Sequence, residues 1–154
     1  MMYVKLRVLV VMAILAVLAI PTSRISATSP KSSAPGLPQQ AARPFVKITS
    51  HKDEQRVPLN PIIRGKVFSK KANVWVIVHP METDGFWVQP KATVNSDGKW
   101  RALIFIGRKG KEDSGKSFEI MAVANPKEDI ARGDVLDSWP KAQAQSDTVE
   151  LVRE

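Results

Sequence analysis

An all-β domain, folded as an antiparallel β-sandwich of about seven strands, is the fold class this sequence predicts. Three observations carry it. From Phe45 onward, short apolar or alternating runs recur at regular intervals, separated by residues that favour turns. Val74-Trp75-Val76-Ile77-Val78 puts three valines on one strand face and two large apolar side chains on the other, the pattern of a central strand covered on both sides. Asn95-Ser96-Asp97-Gly98 supplies the Asx and positive-φ residues of a tight hairpin turn leading straight into Trp100.

Along the chain, Lys5 and Arg7 come first, ahead of an uninterrupted apolar run of 13 residues, Val8 to Ile20. Pro21 ends that run and Ser/Thr/Ala-rich sequence follows. Charged, apolar and polar segments in this order are the pattern of a secretory signal peptide, so residues 1–27 are expected to be a signal helix. A permanent helical span needs roughly 17 to 25 apolar residues, and this run is short for one, although Met1 to Tyr3 extend it. Ala27 is a small residue ahead of a cut before Thr28; uncut, the same segment is a membrane anchor. Both outcomes place the remainder outside the cytoplasm, secreted or periplasmic. Residues 28–44, with four prolines, one glycine and scarcely any apolar side chain suited to a core, read as a flexible linker to a domain over 45–154.

Strands are expected at Phe45 to Ser50, Ile62 to Phe68, Val74 to His79, Phe86 to Gln89, Trp100 to Ile106, Phe118 to Ala124 and Thr148 to Val152. In the sixth, Phe118, Ile120, Ala122 and Ala124 share one face, which is expected to be core. Asn125-Pro126-Lys127-Glu128 offers a capping Asn, a first-turn Pro and a Glu three residues after the cap, with Gly133 as a stop. One short helical turn is therefore expected before the last strand.

With 154 residues the chain has room for one ordinary domain and an appendage. Hydrophobic content of 44% with 25% charged residues allows a buried core. The absence of cysteine excludes disulfides, thiolate metal sites, thiol nucleophiles and a lipid-modified cysteine, so packing alone must hold the fold. Net charge is +8, but without Lys5, Arg7 and Arg24 the balance is 20 basic against 15 acidic side chains, a modest +5.

Gly110 to Ser117 spells G-x-x-x-x-G-K-S, the phosphate loop whose backbone N–H groups and lysine cradle a nucleotide. That loop must open a helix, yet Ser117 to Ala124 alternates like a strand, which favours a Gly- and Lys-rich hairpin loop instead. Glu82, Asp84, Asp97, Glu112, Asp113, Asp134 and Asp137 all fall in expected turns, where solvated acids are the default over paired catalytic carboxylates or calcium ligands. His51 and His79, the two histidines, have no obvious partner for a metal centre or a triad. No cofactor, metal or catalytic set is expected. Arg108, Lys109, Lys111 and Lys116 make a basic loop that could meet an anionic partner, but Glu112 and Asp113 interrupt it and aromatic residues are missing, so nucleic acid is not expected. Of the four tryptophans, at least two are expected in the core; Trp87, with Phe86 on a short edge strand, is the one expected at the surface.

The ordered segments Ile48-Thr49-Ser50, Gly65-Lys66-Val67, Val74 to Val78, Phe86-Trp87-Val88-Gln89-Pro90, Gly98-Lys99-Trp100 and Phe118-Glu119-Ile120 together resemble bacterial extracytoplasmic immunoglobulin-like modules, from Phe45 to Val152. The resemblance implies an antiparallel sandwich with a short helical excursion near Trp139 and the role of an interaction or spacer unit. It carries over no catalytic residue, because it rests on core and turn positions.

The expected function is an exported, non-catalytic binding module. It would contact a protein partner in the periplasm or cell envelope through an edge strand or loop face, with Phe86, Trp87, Arg108, Lys109 and Lys111 as candidate surface residues. A glycan bound by Trp87 and Phe86 is the alternative. Membrane contact is expected only if the N-terminal segment stays attached.

Overall fold

In this computed structural model, residues 43–154 are described; the expected signal helix and nearly all of the expected linker lie outside them. Among the described residues the chain is all-β, without a helix, and forms two packed sheets in the manner of a β-sandwich. Eleven strands follow one another: β1 Val46–Ile48, β2 Gln55–Val57, β3 Ile62–Val67, β4 Val74–Pro80, β5 Phe86–Val88, β6 Thr93–Val94, β7 Lys99–Leu103, β8 Ser117–Pro126, β9 Val135–Leu136, β10 Ala142–Gln145 and β11 Val149–Arg153. One sheet runs β1-β3-β7-β6; the other runs β2-β11-β8-β4-β5-β9, with β10 also paired to β8.

All seven expected strands are present, and four short ones join them: β2, β6, β9 and β10. Pairing is antiparallel throughout except between β2 and β11, which run parallel, a departure from the fully antiparallel sandwich expected. The run expected from Trp100 to Ile106 pairs with β3 only as far as Leu103. Beyond it, the Ile104 and Ile106 N–H groups donate to Pro61 and Leu59 carbonyls, so both side chains stay buried while the chain leaves the sheet.

Strict alternation on β3 and β7 turns Ile63, Gly65, Val67, Trp100 and Ala102 inward. They meet Val74, Val76 and Val78 of β4 and Phe118, Ile120, Ala122 and Ala124 of β8 to make the main core. Burying each large aliphatic side chain there stabilises the fold by about 1.5 to 3 kcal/mol. Gly65 faces the Trp100 indole across the β3–β7 pair, and a Cβ at this position would overlap both that ring and the Lys47 carbonyl. Glycine is what lets the indole lie flat inside the sandwich. The Asn95–Gly98 turn forms as expected: the Asn95 N–H donates to Lys99, the Gly98 N–H donates to Asn95, and Gly98 sits at φ 76°.

The helical turn expected at Asn125–Glu128 does not form. β8 runs on through Pro126, because the Asn125 side chain is spent across strands rather than on a helix cap. Its Oδ1 accepts the Asn73 N–H at 2.8 Å and its Nδ2 donates to Gln143 at 2.7 Å. The helical excursion near Trp139 is corrected too: the chain after β8 stays extended or turned and closes over the second face of the larger sheet. There Ile130, Leu136, Trp139 and Ala142 pack on Ile77, Val88 and Val123, a second small core. β4 and β8 are thus covered on both faces, as the two-sided apolar pattern of β4 requires.

Candidate functional site

Successive residues of β5 point to opposite faces, and this separates Phe86 from Trp87. Phe86 turns to the second core, stacked on His79 with ring centroids 4.2 Å apart and set edge-on against Trp139 at 4.8 Å. It is therefore part of the packing, and the Phe86–Trp87 platform expected for a glycan does not exist. Trp87 turns the other way and is 45% exposed. Of the four tryptophans only Trp100 is fully buried; Trp75 and Trp139 are half-buried and pack on the second core.

Trp87 lines a groove of about 620 Å³, bordered by β4, β5 and β8 on one side and by the segment after β7 on the other. Its opposite wall is Phe105, 39% exposed, with the Arg132 guanidinium 5.9 Å from the ring centroid. Val78 and Phe118 form the apolar floor. Buried Gln89 fastens the two walls: its Oε1 accepts the Phe105 N–H at 2.8 Å and its Nε2 donates to the Trp87 carbonyl at 3.4 Å. Phe105 is the residue that sequence reasoning missed. Its only sequence signal is phase, since it alternates with buried Ile104 and Ile106 and must therefore face out.

Ion pairs form the rim. Gly107, at φ 74°, turns the chain so that the Arg108 N–H reaches Asp113 Oδ2 at 2.7 Å. The Arg108 guanidinium donates to both carboxylate oxygens at 3.3 Å, and Lys116 Nζ lies 3.1 Å from Oδ1. With the Arg108 side chain, the Arg108 N–H and Lys116 all donating to it, the Asp113 carboxyl is held well below the usual carboxylate range. Lys116 also pairs with Glu82 at 2.9 Å, and these two acids raise its pKa. Arg108 further pairs with Glu112 at 3.2 Å. Lys109 and Lys111 stand exposed on the same loop.

Neither a protein-family model nor a curated protein matches this chain.

Of the candidate surface residues, the structure brings Trp87 and Arg108 onto one groove and moves Phe86 to the other side of the sheet. The G-x-x-x-x-G-K-S stretch becomes the rim loop: Ser117 begins β8 rather than a helix, and Lys116 faces two carboxylates. The helix N-terminus that would cradle a phosphate is missing from this stretch. His79 is stacked on Phe86 with Nδ1 3.1 Å from the Gly85 carbonyl. His51 Nδ1 lies 2.6 Å from Ser50 Oγ, which accepts the Arg64 N–H and so links the end of β1 to β3. Burial and then the Arg64 charge lower the His51 pKa, keeping the ring neutral near pH 7. Among the described residues no group of three His, Asp or Glu side chains is placed to hold a metal ion.

Proposed function

We propose that the chain is an exported, non-catalytic binding module that holds a protein partner in the groove between Trp87 and Phe105. One observation carries this reading: two aromatic side chains, 45% and 39% exposed, face the same apolar groove and are tied together beneath it by Gln89. Protein interfaces concentrate their binding energy on large flat anchors seated beside fixed pockets of this kind. The fitting partner is a segment with one large apolar side chain for the groove and an acidic neighbour for Lys109 and Lys111. The signal-like run Val8 to Ile20 and the Pro/Ser-rich stretch behind it support an extracytoplasmic setting, periplasmic or secreted. The resemblance to bacterial immunoglobulin-like modules supports an interaction role.

A glycan is the second reading, with Trp87 paired to Phe105 in place of Phe86. The two readings part in a capture experiment that uses the full chain recovered from expressing cells, envelope extract and a glycan array. The protein reading expects reproducible partners that disappear with Trp87→Ala or Phe105→Ala and persist with Lys70→Ala. Glycan binding sensitive to Trp87→Ala, with no reproducible protein, would overturn it in favour of the second.

A further inference from the structure

The outer face of the four-stranded sheet is a second surface, and none of the residues of β1, β3, β6 and β7 that form it lines the Trp87 groove. Its outward positions are Lys47 of β1, Ile62, Arg64 and Lys66 of β3, Thr93 of β6, and Lys99, Arg101 and Leu103 of β7. Strand register sets them in rows: Lys47 opposite Lys66 and Lys66 opposite Lys99, then Arg64 opposite Arg101, then Ile62 opposite Leu103. Directly opposed side chains start about 5 Å apart and successive rows about 7 Å apart, so five cations share a patch roughly 10 Å by 7 Å.

Like charges directly opposite one another destabilise a sheet. This face holds three such pairs. The acid beside them is Asp97, bonded to Lys99 at 2.7 Å in the β6–β7 turn. Folding gains nothing from this arrangement, whereas an anionic surface laid against it would relieve the repulsion and stabilise the folded chain by mass action.

We infer that this face docks on an anionic membrane surface, with phosphate-bearing headgroups against Lys47, Arg64, Lys66, Lys99 and Arg101. Ile62 and Leu103 form an exposed aliphatic pair at one end, 42% and 47% accessible, which enters the headgroup boundary. That pair selects lipid over a free polyanion, because a nucleic acid or an acidic polysaccharide offers it nothing to bury against. Contact of this kind needs no attached N-terminal segment, so it extends the membrane role beyond an anchor.

The test is sedimentation of the full chain with vesicles of phosphatidylcholine alone or with about one-third phosphatidylglycerol, with the Val8–Ile20 run present in every variant. Each cation near an anionic surface contributes about five-fold in binding. Lys66→Glu with Arg101→Glu is therefore expected to weaken binding to the anionic vesicles by roughly 25-fold or more. Binding should also fall as salt shortens the screening length, and Trp87→Ala should leave it unchanged. Both reversals face opposite charges across the sheet, so the variant keeps its melting temperature; should it melt lower, Lys66→Gln with Arg101→Gln replaces it. Equal binding to both vesicle types, or equal binding by wild type and the charge variants, overturns the inference. DNA or an acidic polysaccharide binding through these residues while vesicles do not overturns the choice of lipid.

Discussion

The Gln89 side chain accepts the backbone N–H of Phe105 at 2.8 Å, across the gap between β5, which carries Trp87 and is flanked by β4 and β9 rather than lying at the sheet edge, and the segment that carries Phe105. Gln89 is 6% exposed, and in its absence the part-buried Phe105 N–H would lose its partner. Gln89→Ala is therefore expected to cost about 1 to 3 kcal/mol in urea unfolding and to loosen the groove at the same time. Gln89→Glu restores the acceptor and should recover part of both.

Phe86 and Trp87 are neighbours in sequence with opposite roles in the fold. Phe86→Ala opens a hole between His79 and Trp139 and is expected to destabilise by about 2 to 4 kcal/mol, less than the full cost at a wholly buried site. Trp87→Ala removes a side chain facing the groove, and is expected to change stability by less than about 1 kcal/mol while abolishing partner capture. Thermal melts alongside capture assays on both variants check the contrast; equal destabilisation would contradict it.

Gly65→Ala is expected to be among the most damaging single-methyl additions, at about 3 kcal/mol, because the new carbon collides with the Trp100 ring and the Lys47 carbonyl. Trp100 is 2% exposed and held on both sides, so neither neighbour can move away cheaply. A fall in the urea midpoint with an unchanged slope would show that stability, and not the compactness of either state, has changed.

Asp113 predicts a pH dependence of defined sign. Its folded pKa lies below the unfolded value of about 3.9, so its contribution is fully present above that value and is lost as pH falls toward the folded one. The melting-temperature difference between wild type and Asp113→Asn should thus be constant from about pH 5 to 8 and shrink below about pH 4. A difference that grows in acid would contradict the ion-pair geometry.

How much of this could be read from sequence depends on the length scale of each signal. β3, β4, β7 and β8 carry long apolar or alternating runs, and Asn95–Gly98 carries its own turn chemistry, so the centre of each sheet was legible. β2, β6 and β9 are two or three residues long, and β10 is Ala-Gln-Ala-Gln, whose small apolar residues give little contrast. Asn125 to Glu128 satisfied the local rules for a helix start, and tertiary pairing with Asn73 and Gln143 outweighed them. In the groove, exposed Trp87 and basic Arg108 were visible one residue at a time. Phe105 as the facing wall and Asp113 as the clamp on Arg108 depend on contacts between separate segments, which no local pattern encodes.

The most direct test of the groove as the binding site is a photo-reactive amino acid placed at Phe105, with cross-linking inside cells that export the chain. One reproducible protein adduct, lost when Trp87→Ala is added and absent when the photo-reactive group is placed at Lys70 instead, is the expected result. Absence of an adduct at 105, or the same adducts from both positions, would contradict a partner seated between Trp87 and Phe105.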